Sequence, residues 1–195
     1  YYLLVESTPE IGIWNGSTGF VCPGTTDIRN SQWYHVAGVF DNGTLKIYIN
    51  GNLENTATTS SLVTRSSLNN MRIGYASNGS SYNFDGLINN VEFWDRPLSQ
   101  SEIQQHMTCP PIGNESGLVG YWNFEEGSGT TVYDQTPNGN DGTINGATYD
   151  ANVPTQSCGL TNSNGCDSTA ILNLTINDSV STSTAQSICA GNSIT

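Results

Sequence analysis

The alternation of apolar and polar positions is clearest in "TLKIYI", where Leu45, Ile47 and Ile49 fall on one side of a strand and Thr44, Lys46 and Tyr48 on the other. Just upstream, "WYHVAGVF" from Trp33 is apolar on both faces, and "DNG" turns the chain between the two runs. Together they predict a β-hairpin with one buried face. Asn50-Gly51 follows at once, and because Asn-Gly tolerates the positive φ angles of a type I′ turn, a further short strand is predicted to fold back through Leu53. More strands are predicted at Met71 to Tyr75 and at Leu87 to Trp94, with loops rich in Ser, Asn and Gly between them. Short strands punctuated in this way predict a two-sheet sandwich or jelly roll.

The pattern changes once, at "LSQSEIQQHM". Ser99 is placed to cap a first helical turn, Glu102 sits three residues on, and Leu98 can pack on Ile103 as a hydrophobic staple, so one short helix is predicted. Cys109-Pro110-Pro111 ends it, because proline has no amide hydrogen and restricts the residue before it.

At this point the residues carry a family resemblance. The stretches "WYHVAGVFDNGTLKIYINGNLE" and "IGYASNGSSYNFDGLINNVEFWDRPLSQSEI" resemble the C-terminal half of a laminin-G-like, concanavalin A-like jelly-roll domain over most of residues 31 to 105. The resemblance implies an all-β, two-sheet fold with one short helix. It differs in one place: the strand after Phe-x-Gly usually carries an acidic pair in that family, and here the pair is Asn89-Asn90. Two carboxylates are thereby removed from a place where such domains hold a cation or a buried hydrogen-bond network.

"LVGYWNFEEGSGTTVYD", residues 118 to 134, resembles the opening strands of the same family, although it follows the closing ones. The similarity continues to Tyr149. A second jelly roll cannot be built from the residues left before the composition changes, and a bare hairpin carrying Tyr121, Trp122, Phe124 and Val132 would leave an apolar face unpartnered. A circular permutation is therefore expected, with 118 to 149 docking beside the sheet that contains Leu87 to Trp94. The chain opens on "YYLLVES", with no Met and no targeting segment, and reads as an N-terminally truncated fragment of a longer protein. The domain is expected to span residues 1–151. Residues 152–195 read as a linker and an incomplete repeat, since "NGCDSTAILNLTI" resembles short Cys-containing repeats of large secreted bacterial adhesins.

Charge narrows the partners. With 17 acidic against 5 basic residues, the net charge of −12 argues against nucleic acid and anionic lipid. No apolar run approaches the roughly 20 residues that cross a bilayer. A secreted or cell-surface location is expected, with a glycan or glycoprotein as ligand and neighbouring domains of the same long chain as partners. The five cysteines include no CxxC pair, which favours disulfides in an oxidising compartment. Cys109 and Cys158 bracket the permuted strand pair, so a bond between them is expected, and Cys158 to Cys166 is the competitor. The partners of Cys22, Cys166 and Cys189 stay open.

Catalysis is not expected. Retaining members of this fold resemble one another in a Glu-x-Asp-x-(x)-Glu strand, which is missing here, and two carboxyl groups about 5 to 5.5 Å apart are what such hydrolysis needs. Glu92 and Asp95 are expected to face opposite sides of a strand or its end, Glu125-Glu126 to sit in a turn, and His35 to be a packed, hydrogen-bonded core residue. For ligand binding, Trp14, Asn15, Tyr75, Asn78 and Tyr82 stand in loop-like stretches where rings could stack on a sugar and amides reach its hydroxyls. For metal, Asp134, Asn138, Asn140 and Asp141 offer hard oxygens within eight residues, a composition suited to calcium. The same residues serve turns through their own backbone hydrogen bonds.

Overall fold

The computed structural model describes residues 2–5, 7–14, 19–59, 71–77, 81–156, 158, 160–161 and 167–168. It divides into two units, Tyr1–Gln156 and Ser157–Thr195.

The first unit begins with β1 (Tyr2–Leu4), β2 (Glu10–Trp14) and β3 (Gly19–Pro23), an antiparallel sheet in chain order. A second antiparallel sheet follows, of β4 (Val36–Asp41), β5 (Thr44–Ile49) and β6 (Asn52–Thr58). Both turns of this sheet are two-residue loops at the expected places. Asn42-Gly43 has φ of 44 and 82°, and Asn50-Gly51 has 49 and 72°, so each Asn takes the left-handed conformation that a I′ turn demands. Strand β4 begins at Val36 and not at Trp33, although Asn50 N–H still donates to the His35 carbonyl at 2.8 Å.

The sheets close on one apolar cluster, in which Ile11 and Ile13 of β2 and Cys22 of β3 meet Leu45, Ile47 and Ile49 of β5. Ile11 lies over Gly38 so closely that a Cβ there would come within 2.7 Å of its Cδ1. Burying an aliphatic side chain of this size contributes about 1.5–3 kcal/mol, so the cluster is the main driving force for stacking the sheets. A bulge between Ile47 and Tyr48 leaves Glu54 unpaired in the β6 ladder. Its carboxylate accepts instead from the amides of Thr25 and Thr26 and from both hydroxyls, pinning the loop after β3.

On the opposite face of β5 Thr44 and Lys46 are half-buried and Tyr48 is buried, contrary to the one-faced hairpin expected. The strands expected at Met71 to Tyr75 and Leu87 to Trp94 start later: β7 (Tyr75–Ser77) pairs with β8 (Ser81–Asn83), and β9 covers only Val91–Trp94. Leu87 and Ile88 are well exposed, and Asn90 at φ 50° breaks the extended run before it reaches Val91.

Helix α1 (Gln100–Thr108) carries the predicted capping box, with Ser99 at the N-cap and Glu102 reaching back to it. Its one fully buried residue, Ile103, packs on Val39 and Tyr48 with Leu98 and Ala37 alongside, so the staple residue joins the same small core. Gln100 and Gln104 each donate to the Gly51 carbonyl at 3.0 Å, which ties the helix to the β5–β6 turn.

Strand β10 (Leu118–Trp122) then pairs antiparallel with β9, Tyr121 opposite Glu92 and Trp122 opposite Val91. The late "opening" strand thus lies against the closing strand of the preceding segment. Short strands β11 (Thr131–Val132) and β12 (Gly142–Thr143) pair with each other beyond it. In the second unit, β13 (Leu160–Thr161) pairs with β14 (Asp167–Ser168). The fold is all-β, a two-sheet sandwich with one short helix.

Candidate functional site

The pairing of β9 with β10 gathers polar groups that the sequence scatters. Glu92 and Trp94 alternate along β9 and therefore share a face, Tyr121 stands across from Glu92, and Asn90 precedes the strand. Trp94 Nε1 donates to Glu92 Oε2 at 3.0 Å, and the Tyr121 hydroxyl donates to Asn90 Oδ1 at 3.1 Å. Burial pushes the Glu92 carboxyl up to about 7, with the charge of Glu115 adding to the shift and the indole N–H opposing it. Burial likewise raises Tyr121 to about 12, helped by the charges of Glu92, Glu125 and Glu115. Trp94 is bracketed by two cationic or titratable groups. The Arg96 guanidinium lies 5.2 Å from its ring centre, and the His106 imidazole lies 5.0 Å away at a tilt of 39°.

The sequence led us to expect Glu92 to face away from Asp95 and His35 to be a packed, hydrogen-bonded core residue. The ring of His35 is in fact buried with Nδ1 unpaired, as are His106 Nδ1 and Asn90 Nδ2. Of the other acids considered, Glu125 and Glu126 do sit in a turn; Glu126 accepts from Tyr133 N–H at 2.8 Å and the Tyr149 hydroxyl at 3.1 Å. Glu115 holds the loop before β10, accepting from the amides of Ile112 and Gly113 at 2.8 and 3.0 Å.

The stretch from Asp134 to Asp141 is organised around one carboxylate. Asp134 accepts from the amides of Tyr121, Thr136 and Asn140, from the Thr136 hydroxyl and from the Asn140 side-chain amide, all at 2.9–3.0 Å. Burial works against its charge, but these donors outweigh burial and hold its pKa below the ordinary value. Asn138 and Asn140 turn their amide nitrogens, not their oxygens, inward to the Val119 carbonyl at 3.0 and 2.9 Å. Asp141 accepts from the Asp134 amide at 3.0 Å. This donor set does not fit calcium, which needs six to eight oxygen lone pairs converging on one point. Here N–H and O–H groups converge on Asp134, and among the described residues no cluster of three or more His, Cys, Asp or Glu could hold a metal. The loop is a brace for β10.

Of the ligand residues predicted, Asn15 and Asn78 lie outside the described residues. Trp14 ends β2, with Gly19 across the ladder, and Tyr82 lies in β8 across from Ala76. The stretch around Tyr75 and Tyr82, expected as loop-like, carries the paired strands β7 and β8. Tyr75 is 37% exposed, and the Arg72 guanidinium lies 5.1 Å from its ring centre. Phe84, which sequence reasoning passed over, is 36% exposed, and its amide donates to the Gly74 carbonyl at 2.9 Å. Two exposed rings are therefore anchored at the base of one hairpin, beside the exposed Asn83 and Asp85. Phe84 opens the Phe-x-Gly motif, so its position was in view, but nothing in the motif told its ring to stay at the surface.

The strand grammar, the sandwich and the single capped helix have a counterpart among known families. Residues 1–104, more than half of the chain, match the family described as the concanavalin A-like lectin/glucanases superfamily. The chain belongs to that superfamily. Among solved structures, the fold of this lectin/glucanase-like chain is similar to that of a "putative carbohydrate binding protein" from Bacteroides ovatus. The two are 20% identical with a TM-score of 0.54, over 73% of this chain and 44% of the other. The chain therefore spans less than half the length of that protein. An S-layer domain-containing protein from Clostridium thermocellum also matches, at 22% identity and a TM-score of 0.37 over 50% of each chain. No curated protein matches the chain.

Cys109, at the helix C-cap, and Cys158 are each disulfide-bonded, whereas Cys22 is a free thiol whose pKa is raised by burial in the sandwich core. Cys166 and Cys189 lie outside the described residues. Among those residues, no helix is long and apolar enough to cross a membrane.

Proposed function

We propose that this domain is a non-catalytic carbohydrate-recognition module of a large secreted or cell-surface bacterial protein, with glycan or glycoprotein as its ligand. The observation that carries the reading is the pair of exposed rings, Tyr75 and Phe84, fixed at one hairpin base by the Phe84–Gly74 hydrogen bond. Rings offer flat apolar faces to a pyranose, and Asn83, Asp85 and Arg72 supply donors and acceptors for its hydroxyls. The superfamily contains lectins as well as glucanases, and the similar Bacteroides ovatus protein is described as carbohydrate-binding.

Catalysis is the weaker reading for a chemical reason. Glu92 is an acid whose pKa burial raises to about 7, but its side chain is engaged by Trp94, and Glu115, whose charge it senses, is committed to the amides of Ile112 and Gly113. A pair of carboxyls free to straddle a glycosidic bond is what hydrolysis demands.

Screening the intact chain on a glycan array is expected to give saturable binding to a defined oligosaccharide class. Tyr75→Ala and Phe84→Ala should each weaken it about ten-fold, equivalent to about 1.4 kcal/mol, while leaving the unfolding curve within about 0.5 kcal/mol of the parent, as exposed positions do. Binding that survives both substitutions together with Trp14→Ala and Tyr82→Ala would move the site to another face. No binding on the array would leave a structural spacer, and release of reducing sugar from β-glucans would make the domain a hydrolase.

A further inference from the structure

Helix α1 is held to the sandwich by few groups, and two of them titrate. Ile103 fills the small core with Val39 and Tyr48. Gln100 and Gln104 bind the Gly51 carbonyl, and Arg96 bridges to Glu102 at 2.7 Å while its guanidinium covers one side of Trp94. His106, one turn beyond Ile103, stacks on the same Trp94 ring. His35 precedes β4 and senses the charge of His106, and its carbonyl accepts from the Asn50 amide, next to the Gly51 that the two helix glutamines hold. Both imidazoles bury an Nδ1 that has no hydrogen-bond partner.

We propose that α1 is an acid-released clasp: protonation of His35 and His106 places two imidazolium ions in the joint between helix and sheets and loosens the helix while the sandwich stays folded. In the neutral ring an unpaired Nδ1 is a bare lone pair. On protonation that nitrogen becomes a buried N–H without an acceptor, and an unpaired buried donor costs free energy. His35 also senses the charge of His106, so a charged His106 opposes the second proton.

The surrounding charges set the sign. Around His106, burial opposes the proton most; Glu115 before β10, Glu102 on the helix and a hydrogen bond to the Cys109 backbone favour it, and Arg96 from the β9–α1 turn opposes it. Around His35, burial dominates and His106 adds to it. Both pKa values are therefore lowered from 6.5. A group with a depressed folded pKa contributes stability that is present above its unfolded pKa and is lost as the pH falls through the folded one. The destabilising window therefore opens below about pH 6.5.

Two neighbours keep the effect local. The carboxyl of Glu102, held by the Ser99 hydroxyl and amide and by Arg96, has its pKa lowered to about 2, so the capping box and ion pair do not titrate in that window. Glu92 moves the other way. Its pKa is raised to about 7, so acid neutralises it and strengthens the β9–β10 seam while α1 loosens. What the clasp uncovers is the apolar face of Val39, Tyr48 and Leu98, a surface that neutral solution keeps sealed.

Amide hydrogen exchange on the full chain at pH 7 and pH 5, corrected for intrinsic rates, tests the proposal. The opening constant of the Ile103–Thr108 amides is expected to rise by clearly more than about two-fold at pH 5, because protonation below the unfolded pKa costs stability, with the β5 amides unchanged. In the His35→Gln, His106→Gln double variant the rise should fall below about two-fold, a residue of the intrinsic correction. Equal opening at the two pH values, or a rise that persists in the double variant, would overturn it. Should the double variant fail to fold, the proton titration of the two imidazoles in the unmodified chain decides: midpoints below 6.5 for both are expected, and midpoints at or above it contradict the clasp.

Discussion

Replacing Asp134 with alanine is expected to destabilise the domain by about 3 kcal/mol, the cost of leaving buried donors unpaired in addition to the charge-assisted bonds lost. Five donors aim at this carboxylate, and one of them, the Tyr121 amide, lies in the buried centre of β10. The loop around it is already engaged, with the Asn138 and Asn140 side-chain NH2 groups donating to the Val119 carbonyl and the Asn140 backbone carbonyl accepting from the Trp122 indole at 2.9 Å. Asp134→Asn is informative because it is nearly isosteric. It keeps one oxygen but puts an NH2 where three donors already converge on Oδ2. Asparagine should therefore recover less than half of the loss. In urea unfolding both variants should shift the midpoint with little change in slope. A loss below about 1 kcal/mol for alanine, within the range of an ordinary single hydrogen bond, would mean that the 134–141 loop decorates β10 without bracing it.

Glu92→Gln is expected to stabilise the domain in alkaline solution and to do nothing in acid. The folded protein holds the Glu92 proton with a pKa raised from 4.5 to about 7, chiefly because the carboxylate would be buried. A group whose folded pKa is raised contributes stability that is fully present below its unfolded pKa and is lost as the pH rises through the folded one. The native protein should therefore weaken between about pH 4.5 and 7 and stay flat above that, with a total of about 3 kcal/mol at 1.4 kcal/mol per unit. Glutamine cannot ionise, yet its carbonyl still accepts from the Trp94 indole. Unfolding curves of the two proteins should coincide near pH 4.5 and differ by about 2–3 kcal/mol at pH 8.5. Parallel curves across that range would show that Glu92 is solvated enough to carry its charge.

What the sequence made legible is the local grammar. Asn42-Gly43 and Asn50-Gly51 predicted two-residue turns because the required positive φ angles are a property of those residues alone. Ser99 and Glu102 predicted the helix start for the same reason, since both halves of a capping box lie within four residues. Tyr48 shows where local reasoning stops. Its alternation said solvent, but Ile103, more than fifty residues later, covers it. Leu87 to Asn90 continued an alternating pattern, yet a left-handed Asn90 ended the strand, and a single dihedral leaves no trace in hydropathy. The acidic loop shows a different limit. Asp134, Asn138, Asn140 and Asp141 have the composition of a cation site, and composition counts oxygens without saying which way an amide turns. Glu92 could not be read at all from its neighbours in sequence, because its environment is built by Tyr121 across the ladder and by Glu115.

Every part of the polar seam rests on residues 118–122 lying beside 91–94, so that pairing is the claim to test first. Cross-strand nuclear Overhauser effects in the isotopically labelled chain read it directly. Antiparallel pairing in the observed register predicts backbone contacts between Glu92 and Tyr121 and between Val91 and Trp122, with Gly120 against Phe93 and Leu118 against Trp94 across the irregularity. Finding that set in the folded chain would establish residues 118–122 as a working strand of the jelly roll. Finding the 118–122 resonances well dispersed but without any contact to 91–94 would make them the detached start of another repeat, and the seam, its buried acid and the brace beneath it would fall together.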